Sequence, residues 1–254
     1  MRSFLFLVIL LFSIQPALAI VDVHDEYYAR PELKAFSVFD FNFSGATGNK
    51  EETDLELNTH SIVRRHNTTW LLVAAVGFSD TNGQENENNQ FLHARYSRHL
   101  IANKRHGFDL IAQYGRDKFE KLQRRLVVGA GYRYEWKEGS NHERGLLGIG
   151  VIREHERYTG LDREAKKWRG NLYATIAIPI SLPQGANVSF SAYLQPNLQD
   201  ISDLRTVAVL GLKAQLSDKL AIKASIDHEF YSDRSPGIEQ NNVTYSTGIS
   251  YSLF

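Results

Sequence analysis

Eight side chains in this 254-residue chain have types and spacing that suit chemistry. They are His93, Arg95, Asp109, Gln113, Arg125, Arg133, Glu135 and Glu154, and each falls within a segment that alternates apolar and polar residues. Mid-strand charges of both signs on one face support two chemistries. One is an ion-pair network in which every buried charge finds a partner, as burial requires. The other is a charged constriction that selects small solutes or ions. Covalent catalysis has weaker support. His93 and Ser97 share a strand face but lie four residues apart, roughly 13 Å at strand rise, too far for a nucleophile and its base. No G-x-S-x-G is present. His60, His66, His99, His106, His142, His155 and His228 lack zinc spacing, and His155 to Tyr158 reads H-E-R-Y rather than H-E-x-x-H. The sequence has no cysteine, so thiolate chemistry and disulfides are excluded. No catalytic residue, metal ligand or cofactor is assigned, and the chain is not expected to be an enzyme.

The elements that must position these residues are clearest between Gly107 and Trp136. Phe108, Leu110, Ala112 and Tyr114 alternate with polar residues, and so do Leu126, Val128, Ala130, Tyr132, Tyr134 and Trp136. A period of two puts each set on one face of a strand. The charged link Arg116 to Arg124 folds the two strands into an antiparallel hairpin. The opposite face carries Asp109, Gln113, Arg125, Arg133 and Glu135 in mid-strand. In a soluble sandwich that face meets solvent, whereas in a transmembrane barrel it lines the interior and the apolar face meets lipid.

About twelve such segments follow one another from Ala35 to the C-terminal end. Most run about nine to twelve residues, near the ~9–11 of a tilted membrane strand. Links at His66-Asn67, Ile101 to His106, Pro183 to Gly185 and Ser217 to Lys219 are short. Those at Asp80 to Gln90, His155 to Trp168, Pro196 to Arg205 and Ser232 to Asn241 are longer and polar. Short turns at one end and long loops at the other is the outer-membrane habit. Trp70, Phe78, Tyr114, Tyr132, Tyr134, Trp136, Trp168, Phe230, Tyr231 and Tyr251 sit near strand ends, as interfacial girdles do.

Met1 to Ala19 reads as a signal peptide, with Arg2, an apolar run from Phe4 to Ile14 and an A-x-A cleavage site ending at Ala19. The fold expected is all-β: a transmembrane antiparallel up-and-down barrel of about twelve strands over residues 34–254, after a periplasmic lead-in at 20–33. The expected location is the outer membrane of a Gram-negative bacterium. With 29 basic and 29 acidic residues the chain is formally neutral, so nucleic acid is not an expected partner.

The runs FSVFDFNFSGATGN (Phe36 to Asn49), HARYSRHL (His93 to Leu100), YLQPNLQDISDLR (Tyr193 to Arg205) and the ending TYSTGISYSLF, with the hairpin above, resemble the salt-induced outer membrane proteins. These are a domain-of-unknown-function family of exported bacterial barrels. The resemblance spans nearly all of the chain after the signal segment; relatives end in Tyr-Ser-Phe, where Leu253 intervenes here. It implies a location and an architecture, not a biochemical activity, and the link to salt rests on the family name.

The function expected is a narrow solute or ion channel, or an envelope-structural protein. Alternatives are a barrel enzyme acting on outer-membrane lipids and a secreted soluble β-sandwich that binds a ligand. Expected partners are outer-membrane lipids and lipopolysaccharide, the barrel-assembly machinery, and small solutes or ions. The tips Arg116 to Lys121 and Asp200 to Arg205 are candidate contacts for anionic lipid head groups.

Overall fold

In a computed structural model the chain forms one closed antiparallel barrel of twelve strands. They are β1 (Ala35–Ala46), β2 (Glu52–Arg65), β3 (Thr68–Thr81), β4 (Gln84–His99), β5 (His106–Asp117), β6 (Leu122–Glu138), β7 (Glu143–Tyr158), β8 (Glu164–Ile180), β9 (Ala186–Asn197), β10 (Asp200–Gln215), β11 (Leu220–Tyr231) and β12 (Asn241–Ser252). The structure describes residues 34–46, 52–100, 105–118, 120–138, 143–159, 164–181, 185–217, 219–234, 237 and 239–252. The segments expected to be a signal peptide and a lead-in (1–33) and the last two residues lie outside the described residues.

Each strand pairs with its sequence neighbours, so β1 starts and β12 ends at the same rim. We call that the terminal rim and the opposite one the far rim. The apolar parity faces outward: Phe41, Trp70, Val128, Ile149, Ile178, Leu210 and Ile249 are all exposed. An exposed apolar face around a closed sheet suits a lipid surround, because closure leaves no backbone edge to satisfy. Near the terminal rim, aromatics form a belt. Trp70 lies 4.6 Å from Tyr96, Tyr96 meets Phe108 edge-on, and His106 sits 5.3 Å from Tyr134, measured between ring centroids.

Three expectations are corrected. The strands run 12 to 17 residues rather than nine to twelve, since most of the links read as long loops are strand. Only Asn82 and Gly83 separate β3 from β4, and only Leu198 and Gln199 separate β9 from β10. The polar residues there keep the backbone ladder of the hairpin while losing the apolar alternation that marks a strand in sequence. Arg205 and Asp203, read as an exposed tip, point inward and are buried, as does Tyr231, read as a girdle residue.

Among the described residues the ladder shifts register near the far rim in four strand pairs and is shortest at the closure. Neighbouring strands share long registers, but among the described residues β1 and β12 pair only at Val38↔Ser252 and Phe39↔Tyr251. The closure is therefore a short seam near the terminal rim.

Candidate functional site: a charged, half-packed lumen

The inward parity of β4 to β10 carries most of the interior charge. Nearest the far rim, the Glu154 carboxylate accepts from Arg125 Nη2 at 2.7 Å, Arg169 Nε at 2.8 Å and Arg205 Nη1 at 2.6 Å. Glu156 takes Arg205 Nη2 at 3.0 Å and the Tyr231 hydroxyl at 3.0 Å. Arg169 also donates to Asp203 Oδ1 at 2.9 Å, and Lys167 bridges Asp203 and Asp233 at 2.6 Å each. The Arg205 guanidinium stacks on the Tyr231 ring, 3.8 Å from its centroid. Arginine suits this role because its planar fork serves several carboxylates at once.

A second cluster lies closer to the terminal rim. Asp109 pairs with Arg95, accepts from the Ser97 hydroxyl at 2.6 Å and the Tyr173 hydroxyl at 2.9 Å, and lies 3.3 Å from Arg133 Nη1. Arg133 also reaches Glu135 at 2.9 Å. Beside the second cluster packs an apolar group of Leu146, Tyr173, Tyr193 and Val207, with Leu146 across the ladder from Glu135. Tyr173 leaves no room for a side chain at Gly148, where a Cβ would stand 2.0 Å from its Cζ.

Above both clusters the links close over part of the mouth. Arg234, after β11, pairs with Glu120 in the β5–β6 turn and reaches Glu229 at 3.2 Å. Burial pushes the Glu120 carboxyl up to about 7; Arg234 opposes that shift and Asp117 adds to it. A shallow recess at this mouth is bounded by Phe91, Arg125, Glu156, Tyr158, Arg205 and Tyr231.

Of the eight residues selected in sequence, Arg95, Asp109, Arg133 and Glu135 share one cluster, while Arg125 and Glu154 belong to the other. His93 is buried on β4, stacked against Phe91, and Gln113 faces it across the β4–β5 register. Neither belongs to the two ion-pair networks just described. Sequence reasoning missed Glu156, Arg169, Arg205 and Tyr231. The parity of Leu172 and Trp168 carries Arg169 inward, and that of Ile222 and Ile226 carries Tyr231 inward; either extrapolation would have found them.

The other side of the lumen differs. Inward from β1, β2, β11 and β12 project Asp40, Glu56, Asn58, Lys223, Ser225, Asp227 and Ser246, partly or fully exposed. Lys223 Nζ is 3.5 Å from Asp40 Oδ2, Ser225 donates to Asp227 at 2.7 Å, and a Cβ at Gly248 would meet nothing within 4 Å. A polar groove thus runs beside a packed half. Among the described residues, no group of three or more His, Cys, Asp or Glu could hold a metal ion.

A closed twelve-stranded antiparallel sheet, apolar outside and charged within, is an outer-membrane-type β-barrel. The chain belongs to a family of unknown function, DUF481, which matches residues 39–253. Comparison with curated proteins finds no match. Among solved structures, the chain is similar to the NanC porin in a rhombohedral crystal form at 12% identity and a TM-score of 0.52, covering 86% of this chain and all of that one. It also resembles the translocator domain of the autotransporter NalP from Neisseria meningitidis, at 14% identity and a TM-score of 0.45 over 85% of this chain and 86% of that one. The β domain of the Bordetella autotransporter Brka gives 13% identity and a TM-score of 0.44 over 86% and 97%. At these identities the likeness concerns the fold alone.

Proposed function

We propose that this protein is a narrow, cation-preferring channel of the outer membrane, exported by residues 1–19 with cleavage after Ala19, and oriented with its terminal rim in the periplasm. The observation that carries the reading is the contrast within one lumen. Arg169 and Glu154 side chains are 0% exposed and Arg205 is 1%, whereas Lys223 and Asp40 are 30% and 24% exposed. The packed half narrows the interior, and the groove along β11, β12, β1 and β2 is accessible at Asp40, Glu56, Lys223, Ser225 and Ser246, on the far-rim side of the buried Phe36, Val38, Ile62 and Ala221. The groove carries the carboxylates Asp40, Glu56 and Asp227 against Lys223, a balance that favours cations. Twelve strands enclose more than a filled eight-stranded barrel and less than an open porin, so small conductance steps are expected.

The same geometry favours a non-enzymatic role. The Ser97 hydroxyl donates to Asp109 and accepts from Arg133 Nη1 at 3.2 Å, deep in the lumen and away from lipid. A hydroxyl held as a donor to a carboxylate between arginines is not presented as a nucleophile.

Planar-bilayer recording of the refolded barrel under a salt gradient tests the reading. Discrete small steps with a cation-selective reversal potential are expected, and Asp40→Asn/Asp227→Asn should move that potential toward zero. Silence from heat-modifiable, folded protein, or anion preference, would overturn it.

A further inference from the structure

We propose that the outward face of β6 to β8 at the far rim binds the phosphates of a bis-phosphorylated outer-leaflet lipid of the lipid A type. This rests on the membrane placement and orientation proposed above. The patch consists of Arg124, Arg153, Arg157 and Lys166, with His155 among them. The register puts Arg124 opposite Arg157 and His155 opposite Lys166. Two arginines directly opposite on one sheet face repel, and directly opposed like charges destabilise a strand pair unless an anion lies between them. Among the described residues, Glu164 is the carboxylate that faces the patch. It stands opposite Arg157 in the β7–β8 register, is engaged with His155 and lies 3.9 Å from Lys166. Four cationic side chains against one carboxylate leave an excess of three positive charges.

The patch is placed where a head group would sit. One step down the same strands, Leu126, Val128, Val151 and Leu172 are exposed and apolar, so a lipid whose phosphates met the arginines would lay its acyl chains on them. Trp168 marks the boundary, with the Arg153 guanidinium 5.2 Å above its ring. Arginine and tryptophan meeting at that level match the composition of a membrane interface. The patch is also local. At the same height on β9 to β12 the outward residues are Pro196, Leu204, Thr206, His228, Phe230 and Val243, and around β3 to β5 the acids Asp80 and Glu85 balance Arg116 and Lys118, with Lys118 paired to Glu85. A merely solvated rim would spread its charge around the circumference. Guanidinium groups bind phosphate bidentately, so they suit a phosphorylated sugar better than they suit a neutral head group.

Native mass spectrometry of the full barrel, titrated in detergent with lipid A, tests this. One lipid A is expected to stay bound. Arg124→Gln/Arg157→Gln should weaken binding roughly thirtyfold, from about 1 kcal/mol per cation near an anionic lipid surface. Arg65→Gln/Lys219→Gln at the opposite rim should leave binding unchanged, and lipid A stripped of phosphate should bind wild type as weakly as lipid A binds the double variant. Equal binding by wild type and the double variant, equal weakening by the opposite-rim pair, or tight binding of the dephosphorylated lipid would overturn the patch. So would wild-type binding of phosphatidylglycerol as tight as that of lipid A. Failure of the membrane reading looks different, because the chain would then not insert into vesicles at all. A barrel that inserts and conducts but ignores lipid A overturns the patch alone.

Discussion

The Glu154 cluster offers a quantitative test of how this barrel is held together. Its buried members are charge-balanced: Glu154, Glu156 and Asp203 against Arg125, Arg169 and Arg205. Glu154→Gln keeps the shape of the side chain but removes one negative charge and turns an amide N–H₂ toward three guanidinium groups that themselves only donate. Removing one partner from a buried ion pair costs about 3–5 kcal/mol, mostly because the remaining charge stays buried without compensation. We expect about 4 kcal/mol for Glu154→Gln. Arg205→Met in the same background restores neutrality, so the double variant should be no less stable than Glu154→Gln alone. The two substitutions should then couple by at least the cost of Arg205→Met alone, about 3 kcal/mol or more. Urea unfolding of vesicle-embedded barrels, followed by tryptophan fluorescence, measures this, since Trp70 and Trp168 face outward and report loss of the lipid environment. Cold gel mobility gives an independent readout. A Glu154→Gln barrel within about 0.5 kcal/mol of wild type, or strictly additive effects of the two substitutions, would refute the reasoning.

Two further outcomes follow from other contacts. Gly148→Val should cost about 1–3 kcal/mol by overpacking, because it must displace the Tyr173 ring and with it the hydroxyl that serves Asp109; the same urea assay checks it, and a stability unchanged from wild type would mean that the ring can move without cost. The Glu120 carboxyl is raised from its unfolded value of 4.5 to about 7, so the folded state holds a proton that the unfolded chain releases. The stabilising contribution is then complete below pH 4.5 and is lost as pH rises through about 7. The pH dependence of unfolding between those values should flatten in Glu120→Gln, and an unaltered slope would show that another group titrates there.

The sequence revealed the architecture because lipid imposes the same alternation on every strand. Phe39 and Phe41, Leu147 and Ile149, and Ile222 and Ile226 each mark an outward face, and a one-residue slip would turn all of them into the lumen. Where the strands rise past the lipid, that constraint ends. Arg153, His155 and Arg157 face outward in β7 with Glu154 and Glu156 facing inward, so both faces are polar and the strand resembles a loop in sequence. This is why Glu156 and Arg169 escape notice in sequence and Arg205 reads as part of a loop tip, although all three join the buried ion-pair network. Which of the inward charges meet was illegible for a different reason. Arg205 reaches Glu154 from three strands away, and Arg95 on β4 meets the Tyr173 hydroxyl of β8 at 3.1 Å. Only the curvature of the closed sheet determines such pairs.

Those cross-lumen contacts also account for the uneven interior. A twelve-stranded sheet encloses more space than its own side chains fill when the barrel is round. Here the reach of β4 to β8, of β7 to β10 and of the β5–β6 turn to Arg234 draws one side together. Every contact in that set ends on a charge, so each holds only while its partners stay dry and paired. The strands β12, β1 and β2, left out of that set, face the groove, and among the described residues β1 and β12 share the shortest register in the barrel. Packing on one side and access on the other are thus two results of one arrangement of charge. If that is correct, substitutions that loosen the Glu154 cluster should widen the conducting path as well as weaken the fold. A purely structural ion-pair network would instead lose stability with no change in conductance.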